Sequence, residues 1–182
     1  FLPTGFLDRT IDLWVDRFEV AFAKLKEKDA RGDEGMRAWL KTQSAQERDA
    51  IINQMEKDGG GRQNLPPLFH PMTWEQARGL VRQGFELGGH TITHPILAHC
   101  SAEEARHEIM GGKKRIEEMC QTPCHHFAHP NGQPKDWNEQ TIATIREAGF
   151  LSCLTTVSGP VRSGDDPYAL RRITIDTGAN LK

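Results

Sequence analysis

The chain has 182 residues, and 23 lysines and arginines against 25 aspartates and glutamates give a net charge of −2. That length holds one domain, or a domain with a sizeable insertion, and not two full-sized ones. The charge balance argues against a nucleic-acid or anionic-membrane binder, which needs a clear basic surplus, and no uninterrupted apolar run approaches the roughly 20 residues of a membrane span. The first residue is Phe1 and no charged leader with an apolar run follows it, so a signal peptide is expected to be absent or already lost, and Phe1 is not expected to be the native start. Four cysteines, Cys100, Cys120, Cys124 and Cys153, are too few in a chain of this size for a disulfide framework.

Taken in chain order, the first third reads as helical. Ile11, Trp14, Phe18, Ala21, Phe22 and Leu25 recur at the spacing of one helix face. A Ser44/Glu47 capping box opens a second helix carrying Ile51, Ile52 and Met55, and Gly59, Gly60 and Gly61 end it. Asp29 to Glu34, between them, reads as a charged, glycine-containing linker. Residues from about Thr10 to Asn64 are therefore expected to form a helical insertion outside any sheet, solvated on one side and packed on the other.

From Pro66 the rhythm changes to alternating helices and strands. Thr73 and Gln76 predict a helix with Trp74, Ala77, Leu80 and Val81 inward, stopped by Gly84. A strand follows over Phe85–Gly89, then a helix opened by Ser101 and Glu104 that carries Ala105, Ile109, Ile116 and Met119. A second strand is expected over His125–His129, a helix over about Asn138–Ala148 closed by Gly149, and strands over Phe150–Thr155 and Leu170–Ile175. This alternation predicts right-handed βαβ units and a parallel sheet or barrel, whose active site lies on the loops leaving the C-terminal strand ends.

Seven of the eight histidines fall within the forty residues from His90 to His129, among them His90, His94, His125, His126 and His129. In Gly88-Gly89-His90-Thr91-Ile92-Thr93-His94-Pro95 the flanking glycines and proline exclude a helix, so the pair sits where a strand ends and a loop turns. The glycines permit close backbone approach, and Thr91 and Thr93 are placed to orient an imidazole. The pair is either two ligands of an open metal site, completed by carboxylate and water, or a hydrogen-bonded structural pair. One βα unit later, Phe127-Ala128-His129-Pro130-Asn131-Gly132 is either an ordinary turn or a rigid loop whose Asn131 and Gly132 N–H groups face a developing oxyanion. Cys120, Cys124, His125 and His126 read as a structural zinc site or, since adjacent strand residues face opposite sides, as separate thiols and imidazoles.

Together these segments resemble the polysaccharide deacetylase family, the NodB-homology domains of carbohydrate esterase family 4. The family's His-Ser/Thr-x-x-His motif is matched by His90 to His94, and its Phe-Ala-Tyr-Pro-x-Gly motif by Phe127 to Gly132, with His129 in place of the tyrosine. The resemblance extends over Phe1–Asp8 and about Pro71–Asp176, including Met72-Thr73-Trp74, Glu147-Ala148-Gly149-Phe150 and Asp166-Pro167-Tyr168-Ala169-Leu170-Arg171-Arg172-Ile173. The Leu13-Trp14-Val15-Asp16-Arg17 start of the insertion is similar to that of a long subgroup often linked to exopolysaccharide systems.

The resemblance implies an α/β chain, a distorted (β/α) barrel of the NodB-homology type that is N-terminally truncated. It further implies one partial domain over residues 1–182 with a helical insertion at 10–64. It implies that His90 and His94 ligate a divalent metal, usually zinc, and that the Asn131 backbone N–H, set by Pro130, holds the oxyanion. Phe127, Gly132 and Arg172 fall on the substrate side. His129 is either a solvent-facing substitution or an extra metal or acid–base group, and Arg171 or Arg172 either orients an aspartate or belongs to a surface pair. The implied reaction removes N-acetyl groups from the amino sugars of a polysaccharide. The family's Thr-Phe-Asp-Asp-Gly motif, source of the third ligand and the general base, does not occur, nor does the late Leu-x-His motif, and Asp165-Asp166 reads as a turn cap. With 55 residues in the insertion, 127 remain for the barrel against roughly 200 or more in a complete one. The chain is thus expected to be a fragment of the enzyme or, alternatively, a non-catalytic carbohydrate-binding or scaffold domain.

Overall fold

Short apolar segments carrying Phe127, Cys153 and Leu170 are the ones that pair. In the computed structural model, which describes residues 1–25, 29–62 and 64–173, they form a parallel sheet of β1 (His126–Ala128), β2 (Ser152–Ser158) and β3 (Leu170–Arg172) in that order. Phe127 pairs with Cys153 and Leu154 with Leu170, and the β2–β3 register is irregular between Leu154 and Ser158. β2 buries Cys153 and Thr155 on one face, the alternation a strand imposes. The chain divides into two compact units, Phe1–Thr4 with Trp74–Lys182, and Gly5–Thr73.

In the first unit the sheet continues beyond β1 as isolated parallel bridges, Phe127 to Gly89 and Gly89 to Leu2. The strand expected over Phe85–Gly89 is thus reduced to a single bridging residue. The glycines explain the closeness of this approach: a Cβ on Gly89 would lie 2.9 Å from the Phe150 ring, and one on Gly88 3.0 Å from the His126 carbonyl oxygen. Helices α5 (Trp74–Arg82), α6 (Ala102–Cys120) and α7 (Glu139–Glu147) flank these segments in the chain. α6 and α7 start as expected, with Ser101/Glu104 and Asn138/Thr141 capping boxes. β2 begins at Ser152, two residues later than expected, and the last two residues of the strand expected over 170–175 lie outside the described residues.

The second unit, Gly5–Thr73, holds α2 (Trp14–Lys24), α3 (Gly32–Leu40) and α4 (Ala45–Asp58), after a one-turn helix α1 (Thr4–Leu7) at the junction. Its core is Trp14, Phe18, Phe22, Met36, Leu40, Ile52 and Met55. α4 has the expected Ser44/Glu47 capping box. The linker expected over Asp29–Glu34 instead runs into α3. Asp29 accepts from the Arg31 backbone N–H at 2.9 Å and caps the turn, and Met36 and Leu40 bury one face of the helix. Two glycines, Gly32 and Gly35, masked that short helix in the sequence.

Candidate active site

His90 follows the Gly89 bridge, and Ala128 ends β1 beside it. The His90 Nδ1 lies 2.7 Å from the Ala128 carbonyl oxygen. A carbonyl can only accept, so Nδ1 carries the hydrogen and Nε2 keeps its lone pair. Burial, and secondarily His94, lower the His90 pKa to about 3, so the ring is neutral near pH 7. The His94 ring centroid is 4.8 Å away, with the planes at 71°. A tetrahedral zinc ion with nitrogens at about 2.0–2.1 Å sets two ligating imidazoles about 5 Å apart, centre to centre. The spacing of the pair is one that a single divalent ion could bridge, and the Ala128 carbonyl fixes the His90 tautomer whose Nε2 could ligate it. Among the described residues no group of three or more His, Cys, Asp or Glu side chains is placed to hold a metal ion, so the pair offers two candidate ligands.

The loop holding the pair is strained. Thr91 has φ 68° and His94 φ 60°, left-handed values that are costly for a β-branched residue such as Thr91. Glu108 on α6 offsets the strain: its Oε2 accepts from the Ile92 and Thr93 N–H groups at 2.7 and 2.8 Å, and its Oε1 from Thr93 Oγ1 at 2.7 Å. Thr91 Oγ1 accepts from the His94 N–H at 3.0 Å, and the Thr91 carbonyl accepts from Thr4 N–H at 3.1 Å. The threonines thus bond the loop backbone and Glu108, where the sequence suggested that they orient an imidazole directly. Gly112 lets the loop lie on α6, since a Cβ there would sit 3.0 Å from the Thr91 carbonyl carbon and oxygen. Sequence reasoning missed Glu108. Its signal was a carboxylate within the buried stripe Ala105, Glu108, Ile109, Gly112, Ile116.

The 127–132 segment is only partly as expected. Phe127 is fully buried and its ring packs on Phe150 at 5.2 Å, so it is a core residue and not a substrate contact. Gly132 donates its N–H to the Pro130 carbonyl at 2.7 Å, which removes it as an oxyanion donor. That i to i+2 bond closes a γ-turn around Asn131, whose φ is 60°. Thr156 Oγ1 donates to the Asn131 carbonyl at 2.7 Å and Thr156 N–H to the Gly132 carbonyl at 2.9 Å, tying the loop to β2. Pro130 is buried beneath it. No acceptor for the Asn131 N–H occurs among the described residues. Arg172 donates from Nε to the Thr155 carbonyl, and its charge helps lower the His90 pKa. Asp165 and Asp166 cap turns, accepting from Arg162 N–H and Tyr168 N–H at 2.9 Å each.

His129 is 1 % exposed, so it is not a solvent-facing substitution. Its ring stacks on Trp137 at 5.0 Å, and neither ring nitrogen makes a hydrogen bond among the described residues. Burial lowers its pKa to about 4. The unfolded chain takes up this proton near pH 6.5 and the native chain only near 4, so between these values the unfolded state binds more protons. Stability is expected to fall as pH drops from about 6.5 to 4, by on the order of 3 kcal/mol from this group. Urea midpoints measured against pH should show a shallower fall in His129→Phe, and identical slopes in the two chains would refute the assignment.

The cysteines are free thiols, and burial pushes Cys124 up to about 11. His126 Nδ1 lies 2.8 Å from Ser152 Oγ, and its Nε2 3.3 Å from a Glu86 carboxylate oxygen. The two nitrogens that a Cys120–Cys124–His125–His126 zinc site would draw on at His126 therefore already face polar partners.

The polysaccharide deacetylase family profile matches residues 36–152. A chitooligosaccharide deacetylase of Bradyrhizobium sp. is 33% identical over 79 residues, 43% of this chain and 35% of that protein. A peptidoglycan-N-acetylglucosamine deacetylase of Bacillus cereus is 31% identical over 75 residues, 41% of this chain and 33% of that protein. The chain spans about a third of the length of these curated relatives. Among solved structures, a Streptococcus pyogenes deacetylase in complex with acetate superposes with a TM-score of 0.55 at 22% identity, covering 58% of this chain and 46% of that one. A deacetylase domain from Bordetella bronchiseptica gives 0.53 at 19%, covering 61% and 52%. The α/β class expected from the sequence is the fold they share.

Proposed function

Because the chain belongs to the polysaccharide deacetylase family, we propose that the rim formed by His90, His94 and Asn131 is part of a metal-dependent site that hydrolyses N-acetyl groups on the amino sugars of a glycan. The observation that carries this reading is the Nδ1–H of His90 fixed on the Ala128 carbonyl, which leaves Nε2 free of a proton beside His94. When bound, a divalent ion supplies Lewis-acid polarisation of the acetamide carbonyl and lowers the pKa of water. The chain's own residues do the rest. His90 and His94 hold the ion, with zinc the natural choice for two imidazoles. The γ-turn at Asn131 presents a backbone N–H to the charge that grows on the carbonyl oxygen, and its ties to Thr156 keep that N–H in place through the reaction.

The names of the two curated relatives, one acting on chitooligosaccharides and one on peptidoglycan N-acetylglucosamine, support an N-acetylated amino sugar as the substrate class. Acetate release from N-acetylglucosamine oligomers by the protein expressed from its whole reading frame, loaded with zinc, is the test. Release that disappears in His90→Ala is expected. Equal release by His90→Ala would overturn the site. Absent release with retained glycan binding would favour the carbohydrate-binding or scaffold reading, which the two-ligand donor set supports.

A further inference from the structure

Within the unit Gly5–Thr73, residues 6–12 face Arg62 and residues 64–71 across a cleft of about 570 Å3. Small-molecule sites usually fall between about 300 and 1,000 Å3. Phe6 and Ile11 give the cleft apolar wall, and Asn64 gives it an amide that can both donate and accept.

Its charge is unevenly committed. Arg62 Nη2 lies 2.7 Å from Asp12 Oδ2, so that guanidinium is neutralised within the cleft. Arg9 makes no ion pair among the described residues, and it stands in a backbone position that few side chains occupy. The Arg9 N–H donates to the Phe6 carbonyl at 3.1 Å and the Thr10 N–H to the Gly5 carbonyl at 2.9 Å. These are the paired bonds of a Schellman motif closing α1, with Arg9 at its left-handed residue, φ 57°. Glycine is the usual occupant there because any Cβ is strained. An uncompensated cation held at a strained position on a cleft wall sacrifices stability for something the fold itself does not use.

We propose that this cleft binds an acidic saccharide, with Arg9 receiving a sugar carboxylate. A guanidinium fork matches a carboxylate with two parallel hydrogen bonds. The Phe6 ring offers an apolar face to the C–H side of a pyranose, and Asn64 meets its hydroxyl edge. The choice of a saccharide over other carboxylates rests on the glycan reading above; the choice of an anion rests on the cleft alone.

The test is calorimetric titration of the chain with trigalacturonate, which carries carboxylates and no acetyl group, beside neutral maltotriose and sodium acetate. Saturable binding of trigalacturonate is expected, well ahead of both controls. Arg9→Gly should weaken it by about 10- to 100-fold, the range of a lost charge-assisted hydrogen bond, while leaving the melting temperature unchanged or raised, since glycine relieves the backbone. Arg9→Lys keeps the charge and should retain part of the affinity. His90→Ala should bind like the parent, which separates this cleft from the proposed deacetylase site: binding lost there, or unchanged in Arg9→Gly, would overturn the proposal. Maltotriose binding as tightly as trigalacturonate would overturn the anion, and acetate doing so would overturn the saccharide.

Discussion

Glu108→Ala is expected to destabilise the chain by about 3–5 kcal/mol, because it removes the acceptor for two part-buried backbone N–H groups and a hydroxyl at once. Hydrogen bonds to a charged acceptor are worth about 1.5–3 kcal/mol each, and an unpaired buried donor costs about 1–3 kcal/mol. The loss is compounded by what the carboxylate restrains. Thr91 and His94 both hold left-handed φ values, and without Glu108 the loop is free to relax into extended backbone. Relaxation would carry His94 away from His90, so zinc affinity should fall with stability, by the 10- to 100-fold typical of a lost outer partner. Glu108→Gln separates the two contributions. Its single carbonyl oxygen can still take both N–H groups and its amide can donate to Thr93 Oγ1, so a loss near 1 kcal/mol is expected. Urea unfolding with a zinc titration on each variant reads both quantities, and a Glu108→Ala chain as stable as Glu108→Gln would refute the restraint.

What the sequence disclosed follows the range of the physics involved. The capping boxes at Ser44, Ser101 and Asn138 were legible, or nearly so, because a cap closes within three residues and needs nothing from elsewhere in the chain. Gly88 and Gly89 were read correctly as sites of close approach, although not against which atoms. The partners, the Phe150 ring and the His126 carbonyl, lie some forty to sixty residues on. The same distance hid the role of Glu108, sixteen residues from the N–H it receives at Ile92. His129 misled for another reason. The sequence left it either a solvent-facing substitution or an extra metal or acid–base group, and Trp137, in the following loop, rules out the first by covering the ring. Gly132 was lost as a donor to a bond within its own turn, a matter of one ψ angle that residue type does not specify. The His90–His94 pairing was thus visible as spacing, and the framework that makes its loop rigid was not.

Zinc binding should collapse in His90→Ala and in His94→Ala, by more than about 100-fold, since losing a direct ligand exceeds the 10- to 100-fold of losing an outer partner. Competition against a chromophoric chelator measures this with no need for turnover. A thermal readout should agree. An ion that binds only the native chain stabilises it by about 2.7 kcal/mol at a concentration of 100 Kd, and in a chain of this size that raises the melting temperature by about 5–10 °C. Neither histidine variant should show the rise. Cys120→Ser should show it in full, because Cys120 and Cys124 are buried thiols whose pKa values are raised, Cys124 to about 11, and a thiol must lose its proton to ligate. The two outcomes point in opposite directions. Metal retained by His90→Ala and lost in Cys120→Ser would move the ion to the Cys120–His126 segment and leave the His90–His94 pair a structural one, held by Ala128 and by the loop that Glu108 restrains.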